Sequence, residues 1–426
     1  MTSSALMNDW SYRKLDELGS VGRGRSRHRP RNDPSLYGGK YPFVQTGDVK
    51  AAEFYIKSYA QTYNEKDLSQ SKLWNPGTLC ITIAANIAET AILGIPACFP
   101  DSIVGFVAQP DKSDVRFVKY YIETIKLNMQ NISKGTTQDN LSLDKLLTFE
   151  ILTPPLHTQR KIAAILSAYD DLIENNTRRI KILEEMAQAL YREWFVNFRF
   201  PGHEKVPMVD SLLGEIPGGW GVSNLDSVCM RITDGSHWSP QSVLEGVPMA
   251  SVKDMHDWGF DIENCRKILE DDYLELIRND CKPLKHDVLI AKDGSYLKHI
   301  FVVDKELDLV ILSSIAILRT NDLMNPYFLA MYLKEPSIMA RMKGYVSGVA
   351  VPRIVLKDFR KFEILIPPET LQEMWWKIAE PFISQCLRLI DKIANLRSTR
   401  DLLLPKLISG ELDVDALDIK IEGMKP

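Results

Sequence analysis

The sequence predicts an α+β protein in which a globular part followed by a long helix occurs twice, and two observations support this. Residues 158–196 contain neither Gly nor Pro and are rich in residues that favour helix. The segment FEILTPP at residues 149–155 returns as FEILIPP at residues 362–368, ahead of a second helical pattern. Agreement over seven residues with one substitution indicates an internal repeat.

Both predicted helices carry the apolar seam of a coiled coil, because their seam residues are spaced alternately by four and three. The first seam comprises Ile162, Leu166, Tyr169, Ile173, Asn176, Ile180, Leu183, Ala187, Leu190 and Trp194. A shift of 213 residues places it on Trp375, Ala379, Phe382, Cys386, Leu389, Ile393, Leu396, Arg400, Leu403 and Leu407. All of the shifted positions except Arg400 are apolar or small. A helix of roughly 39 residues is about 58 Å long and needs a partner, which we expect to be the second helix.

Composition limits the possible classes of protein. A chain of 426 residues with 45% hydrophobic residues is long enough for two or three domains with real cores. The formal net charge of −4 means that any nucleic-acid site must be local. The scattered cysteines form no C-x-x-C pair, which favours reduced core thiols: Cys80, Cys98, Cys229, Cys265, Cys281 and Cys386. No signal peptide or run of 18 apolar residues occurs, so we expect a soluble, cytoplasmic protein.

The first globular part, about residues 1–155, begins with a cationic segment. Five arginines occupy alternate positions from 23 to 31, among glycines and Pro30, which predicts a loop rather than a helix. Strands are predicted at 41–50, 77–93 and 101–110, and a helix at 113–129. Arginine suits phosphate and guanine contacts, but a solvated run of charge is the alternative interpretation.

The second globular part, about residues 201–368, repeats this order of segments. The repeated pairs are 247–255 with 41–50, 286–303 with 77–93, 325–339 with 115–129, and 347–365 with 134–152. The frame agrees while the loops differ, since the first loop is Arg-rich and its counterpart reads DGSHWS. This pattern predicts one scaffold carrying two different binding surfaces.

No catalytic motif accompanies these frames. The sequence has no P-loop, no H-E-x-x-H, no dinucleotide fingerprint and no glutamate followed two residues later by lysine. The segment NPYF at residues 325–328 is similar to part of an adenine-methyltransferase loop, but it lacks the second proline and predicts a helix start with Pro at the first position. Asn176 is the polar residue of the first seam, where such residues usually fix helix register.

The candidate nucleic-acid contacts combine cations for phosphates with groups that hydrogen-bond base edges. In the first part they are Arg23, Arg25, Arg27, Arg29, Lys134, Thr136, Thr137 and Asn140. In the second part they are Ser236, His237, Lys253, Lys292, Ser295, Lys298, Lys343 and Arg353. For any single residue, a solvated surface side chain is the competing interpretation.

Taken together, the chain resembles the DNA-specificity subunit of type I restriction–modification systems from about residue 10 to 413. The resemblance rests on three features: PP-x-x-x-Q at 154–159 and 367–372, LGEIPGGW at 213–220, and LLLPKLISGELDV at 402–414. Two departures are the Arg-rich start and the prolines Pro381 and Pro405, which would kink or end the second helix. Pro405 is expected to mark its last turns.

This resemblance implies an architecture and a division of labour. Residues 1–155 and 201–368 would be tandem α/β target-recognition domains, each reading one half of a split DNA site. Residues 156–200 and 369–412 would be long helices in an antiparallel intramolecular coiled coil with an internal pseudo-twofold repeat, and 413–426 a tail. The helices would set the spacer and dock two methyltransferase subunits.

It also implies that the chain is non-catalytic and binds no cofactor or metal. The complex would methylate adenine N6 in double-stranded DNA with S-adenosylmethionine held by the methyltransferase subunits. Restriction/translocase subunits, using ATP and Mg²⁺, would cleave DNA in phage defence. The alternatives are a specificity subunit of a related defence system, a non-catalytic protein-binding scaffold, and an autonomous methyltransferase or nuclease.

Overall fold

The computed structural model describes residues 9–26, 33–134, 141–294, 297–347 and 353–419, except for the side chains at 67, 133, 134 and 347. The chain divides into two compact units. Unit 1 comprises Met1–Arg178 and Asp391–Pro426, and unit 2 comprises Arg179–Ile390.

Unit 1 is built on a five-stranded sheet. Its strands are β1 (Ser11–Lys14), β2 (Gly19–Arg23), β3 (Tyr37–Phe43), β4 (Tyr55–Ile56), β5 (Gln61–Tyr63), β6 (Leu79–Thr82), β7 (Thr90–Leu93), β8 (Ile103–Ala108) and β9 (Glu150–Thr153). Its helices are α1 (Leu15–Leu18), α2 (Thr46–Ala51), α3 (Glu65–Leu68), α4 (Val115–Lys134) and α5 (Leu143–Leu146), and the long helix α6 (Leu156–Phe195) follows. The sheet order is β2-β8-β6-β7-β4, while β1 pairs with β9 and β3 with β5. β6 and β7 are buried throughout, as their continuous apolar runs require.

Unit 2 has a four-stranded and a three-stranded sheet. Its strands are β10 (Met208–Ser211), β11 (Gly214–Pro217), β12 (Gly221–Asn224), β13 (Cys229–Asp234), β14 (Val247–Ala250), β15 (Met255–His256), β16 (Gly259–Phe260), β17 (Arg266–Ile268), β18 (Val288–Ala291), β19 (Ile300–Val302), β20 (Val310–Ile311), β21 (Ile315–Thr320), β22 (Val346–Ser347), β23 (Arg353–Ile354) and β24 (Glu363–Ile366). Its helices are α7 (Glu270–Arg278), α8 (Pro326–Lys334), α9 (Pro336–Lys343) and α10 (Leu356–Phe359), and the long helix α11 (Glu369–Ile408) follows. The sheet orders are β13-β21-β18-β19 and β17-β14-β20.

The two units share a strand frame. The order β2-β8-β6-β7 of unit 1 matches β13-β21-β18-β19 of unit 2, with antiparallel pairing throughout. Likewise, β1 pairs with β9 and β12 with β24, directly before a long helix in each case. The predicted repeat is therefore present in the fold as well as in the sequence.

The long helices run antiparallel within each unit. In unit 1, Thr158 of α6 bonds Asp415 beyond the end of α11, while Asp170 further along α6 pairs with the earlier Arg400. In unit 2, Cys386 of α11 lies against Ile180 of α6, while the earlier Trp375 of α11 contacts the later Tyr191 of α6. Most of the predicted seam residues are buried, including every one of the first seam except Tyr169, Leu183 and Leu190, which are partly buried. The coiled-coil prediction is confirmed.

Arg400, the charged exception in the second seam, has a partner on α6. Its guanidinium pairs with the carboxylate of Asp170, which is 8% exposed and also accepts a hydrogen bond from the Tyr120 hydroxyl. Burial and this carboxylate together raise the pKa of Tyr120 far above its ordinary value. Asn176 is also buried, and its Nδ2 has no hydrogen-bond partner among the described residues.

The glutamine of each PP-x-x-x-Q segment fastens the start of a long helix to its unit. Gln159 donates to the Lys112 and Pro154 carbonyl oxygens at 3.1 and 2.9 Å and accepts from the Asp114 N–H at 3.0 Å. The Gln159 side chain is 1% exposed; its bond to Pro154 is buried, and those with Lys112 and Asp114 are partly buried.

Gln372 repeats this arrangement in unit 2. It donates to the Leu323 and Pro367 carbonyl oxygens at 3.1 and 3.0 Å and accepts from the Asn325 N–H at 3.2 Å. In both units, a buried glutamine side chain thus anchors the start of the long helix by hydrogen bonds to the backbone of its own unit.

Several local predictions are also confirmed. α8 begins with Pro326 at its first position, and the Asn325 side chain accepts from the backbone N–H groups of Tyr327 and Phe328. Pro405 lies in the last turn of α11, whereas the helix continues through Pro381. All six cysteines are free and buried.

Candidate nucleic-acid interface

A tight turn at Gly24 follows β2, an edge strand of the five-stranded sheet in unit 1. The Gly24 N–H donates to the Ile103 carbonyl oxygen at 2.9 Å, and the Arg25 N–H donates to that of Phe99 at 3.0 Å. A Cβ on Gly24 would lie 2.3 Å from the Phe99 carbonyl oxygen, which no side chain tolerates. Glycine is required here because the turn presses against the neighbouring backbone.

The equivalent turn of unit 2 has the same geometry. The Gly235 N–H donates to the Ile315 carbonyl oxygen at 3.2 Å, and the Ser236 N–H donates to that of Ile311 at 2.8 Å. A Cβ on Gly235 would lie 2.1 Å from the Ile311 carbonyl oxygen. Ser236 therefore occupies in unit 2 the position that Arg25 occupies in unit 1.

Cations gather at the turn of unit 1. Arg23 ends β2, and its Nε donates to the Asp101 carbonyl oxygen at 3.0 Å, which leaves the charge without a carboxylate in that bond. The Lys72 ammonium lies 3.4 Å from the centroid of the Trp74 ring. Partial burial, followed by the positive charge of Arg25, lowers the pKa of Lys72. Arg25 and Lys72 are therefore close enough to repel each other, and a phosphate would relieve that repulsion.

A polar groove of about 280 Å³ adjoins this turn. It is lined by Ser26, Tyr37, Phe43, Gln45, Thr46, Gln61, Tyr63, Pro100 and Ser102. Two of the lining side chains, Gln45 and Gln61, are exposed amides. The Gln45 Nε2 donates to the Gln61 Oε1 at 2.6 Å. Its floor is aromatic, with the Phe43 and Tyr63 rings stacked at 3.9 Å.

The turn of unit 2 has a different charge pattern. The Lys292 side chain is only 7% exposed, and its Nζ lies 3.3 Å from the Asp234 and 2.8 Å from the Asp293 carboxylate. His237 is exposed, with its Nε2 3.4 Å from Asp234. Two carboxylates already neutralise Lys292, so His237 is the more accessible hydrogen-bonding group of this cluster.

The remaining predicted residues of unit 2 occupy varied positions. Ser236 is buried, and its hydroxyl donates to the Trp238 carbonyl oxygen at 2.6 Å. Arg353 is exposed and forms a backbone bridge with Asp293, which brings it beside the Lys292 cluster. The three remaining predicted contacts that the structure describes are exposed and far apart in sequence: Lys253, Lys298 and Lys343.

Some predicted contacts lie outside the described residues. These are Arg27, Arg29, Thr136, Thr137, Asn140 and Ser295, while Lys134 ends α4 with its side chain not described. The DNA-contact assignment of all sixteen residues stays a prediction.

Sequence reasoning missed the amide pair of unit 1 and the carboxylates of unit 2. Gln45 lies in the repeated segment 41–50, whose counterpart 247–255 has Ser251 at that position. The difference between Gln45 and Ser251, at matched positions of the repeat, was the signal in the sequence that could have identified Gln45. Asp234 and Asp293 lie close in sequence to the predicted contacts Ser236 and Lys292.

Two other kinds of site are absent from the described residues. No helix there is both long and apolar enough to cross a membrane. Within the same residues, no group of three or more His, Cys, Asp or Glu side chains is placed to hold a metal ion.

Comparison with known proteins agrees with the duplicated frame. The chain is 27% identical over 422 residues to the type I restriction enzyme MjaIX specificity subunit of Methanocaldococcus jannaschii, covering 96% of this chain and 95% of that protein. It is 22% identical to the HindI specificity subunit of Haemophilus influenzae, over 66% of this chain and 72% of that protein.

Among solved structures, the fold is similar to that of a type I restriction-modification S subunit from M. genitalium, with a TM-score of 0.57. The identity is 19%, over 93% of this chain and 96% of that one. The family model for the type I restriction modification DNA specificity domain matches residues 7–185 and 217–396. The chain therefore belongs to the family of type I restriction–modification DNA specificity domains.

Proposed function

We propose that this chain is the specificity subunit of a type I restriction–modification complex and that each unit reads one half of a split DNA site. A duplicated frame with unlike side chains carries the proposal. Arg25 and Ser236 follow the same glycine turn, and Gln45 and Ser251 occupy matched positions. Two identical half-sites would favour identical side chains, whereas two different half-sites require these positions to differ.

The division into domains follows from the repeat. Residues 1–155 and 201–368 are the two target-recognition domains, and the long helices at 156–200 and 369–412 lead out of them. Gln159 and Gln372 support this division, since each is a buried side chain that fastens a helix to its own domain through hydrogen bonds. A helix fixed at its root can hold the spacing between half-sites.

Phosphate contacts supply affinity, and contacts with base edges supply sequence preference. The cations around Arg25 and Lys72 support the first role, because their mutual repulsion is relieved by an anion. Binding is therefore expected to weaken as salt rises. Linking two half-site contacts in one chain raises the overall affinity through effective concentration.

Catalysis is assigned to partner subunits. Two methyltransferase subunits docked on the helices hold S-adenosylmethionine and methylate adenine N6. Restriction/translocase subunits use ATP and Mg²⁺ to cleave unmodified DNA, in the cytoplasm where that DNA is met. Membership of a family of DNA specificity domains supports this assignment.

The experiment is a genome-wide map of adenine methylation, made in a host that carries the partner methyltransferase, with and without this chain. We expect one split motif to lose its methylation when the chain is deleted and to regain it when the chain is restored. An unchanged methylation pattern in the presence of an active partner would overturn the proposal.

A further inference from the structure

We propose that the groove of unit 1 carrying Gln45 and Gln61 reads the major-groove edge of an A·T base pair. This inference rests on the proposed function, since it assigns one chemical feature of DNA to one part of that interface. Neither glutamine was among the residues that the sequence alone singled out.

The chemistry of the amide favours adenine. A glutamine side chain donates from its nitrogen and accepts at its oxygen, which matches the N7 acceptor and the N6 donor of adenine. The bond of 2.6 Å between the Gln45 Nε2 and the Gln61 Oε1 uses one donor and one lone pair. Both side chains are exposed, so further donors of this amide pair remain within reach of a base edge.

The groove holds these amides in place before any ligand arrives. The Gln45 N–H donates to the Asp48 carboxylate at 2.8 Å, which fixes its backbone at the start of α2. Gln61 lies opposite Phe43 in the β3–β5 register, and the Phe43 ring is stacked on that of Tyr63. Side chains that are ordered in advance lose less entropy on binding, so they discriminate more sharply.

The groove also lies beside the cations that suit DNA phosphates. Ser26, which follows Arg25 directly, lines it, and so does Pro100, which precedes Asp101. Asp101 in turn accepts from Arg23 through its carbonyl oxygen. A backbone contact at the arginines and a base contact at the amides can therefore be made by one duplex.

Unit 2 has the same frame without the amide pair. The Ser251 N–H donates to Asp254 at 2.8 Å, as the Gln45 N–H does to Asp48, but the Ser251 hydroxyl also donates to that carboxylate at 2.9 Å.

The counterpart of Gln61 in the strand register of unit 2 is Arg266, which lies opposite Met249. Its guanidinium donates to the Pro240 carbonyl oxygen at 2.8 Å, within the unit. Since the frame needs neither glutamine, the amide pair is a feature of what unit 1 recognises.

The test uses the complex of this chain with its methyltransferase partner and a DNA library with randomised half-sites. We expect Gln45→Ala and Gln61→Ala each to reduce the preference for A·T at one base pair of one half-site by roughly tenfold or more. The other half-site should keep its preference. The matched control is Gln109→Ala, because Gln109 is an exposed glutamine of unit 1 that does not line the groove.

Gln61→Glu separates base reading from a purely structural role. A carboxylate still accepts from the Gln45 amide, so the groove keeps its internal bond, but it has no donor for adenine N7. It can accept from cytosine N4, so we expect the preference at that base pair to move from adenine towards cytosine. Thermal melting of each variant complex shows whether the fold is retained.

The outcomes are distinguishable. If the unmodified complex selects no split motif, the proposed function fails. If it selects one and the glutamine variants leave every position unchanged, only the groove inference fails. A uniform loss of binding at both half-sites with a lowered melting temperature also overturns the inference, since the amides would then be structural.

Discussion

The two units agree where backbone packs against backbone and differ in the side chains beside these contacts. Gly24 and Gly235 permit the same close turn, and their hydrogen bonds run to equivalent strands. The next residue is Arg25 in one unit and the buried Ser236 in the other. The close backbone contact therefore requires glycine in both units, whereas the residue that follows differs between them.

The helix pairing shows a comparable difference at a buried position. In unit 1, Asp170, Arg400 and Tyr120 form a polar cluster. The shift of 213 residues between the long helices gives Ile383 and Ala187 as the unit 2 counterparts of Asp170 and Arg400. The backbone N–H groups of Asp114 and Asn325 donate to the matched glutamines Gln159 and Gln372, so an offset of 211 makes Met331 the counterpart of Tyr120. The matched positions therefore hold polar side chains in unit 1 and apolar side chains in unit 2.

The largest effect that we expect comes from breaking this cluster in one place. Among the described residues, Asp170→Ile would leave the Tyr120 hydroxyl without its hydrogen-bond partner and Arg400 with only the exposed Asp401 as an ion-pair partner. Removing one partner of a largely buried ion pair costs about 3 kcal/mol. Denaturant unfolding of the isolated chain would measure this loss as a lower transition midpoint at unchanged slope.

The matched control exchanges the whole cluster. Tyr120→Met, Asp170→Ile and Arg400→Ala together install the side chains of unit 2, and we expect most of the lost stability to return. Replacing a buried ion pair with apolar residues of suitable volume is often neutral. A triple variant no more stable than Asp170→Ile would show that the two units do not share this frame.

The second prediction compares the glycine turns. Alanine at Gly24 or Gly235 would place a Cβ 2.3 or 2.1 Å from a backbone carbonyl oxygen, so the backbone must shift. We expect each change to cost about 2 kcal/mol, measured by denaturant unfolding. Gly47→Ala is the control, since nothing lies within 4 Å of its Cβ and alanine favours helix α2. Unequal losses at the two turns would mean that they are not equivalent.

Much of the fold could be predicted because its signals are local or repeated. The seam spacing identified both long helices, and the Pro-Pro segments located their starts. The pairing of Arg400 could not be predicted, since Asp170 lies beside the seam position Tyr169 rather than on the seam. Only the packing of three elements brings that carboxylate, the guanidinium and a tyrosine together.

The site was less predictable because it depends on strand pairing across loops. Gln45 and Gln61 are sixteen residues apart, and the β3–β5 register brings them together. Lys292 is predicted to contact DNA, yet it is buried between Asp234 and Asp293. Charge in a sequence does not reveal whether a neighbouring carboxylate will neutralise it.

At one matched position, the long helix carries a cation in unit 1 and a carboxylate in unit 2. In unit 1, Arg397 of α11 pairs with Glu53 at 2.7 Å, and both side chains are about half exposed. The repeat places Glu184 of α6 at the equivalent position, where it accepts from the Trp258 Nε1 at 2.6 Å. Burial raises the pKa of Glu184, while nearby Lys334 opposes that shift.

The smallest effect that we expect is a change in how the unfolding free energy depends on pH when Glu184 is replaced. A carboxyl group whose pKa is raised on folding binds more protons in the folded state. Its ionisation thus opposes folding, and stability rises as the pH falls from 7 towards the ordinary value of 4.5. Glu184→Gln keeps an acceptor for Trp258 but cannot titrate, so its unfolding free energy should lack this rise. Arg397→Gln, measured by the same denaturant titrations at each pH, should retain it because Glu184 is intact. Parallel curves for the unmodified chain and Glu184→Gln would show that the burial of this carboxylate does not affect folding.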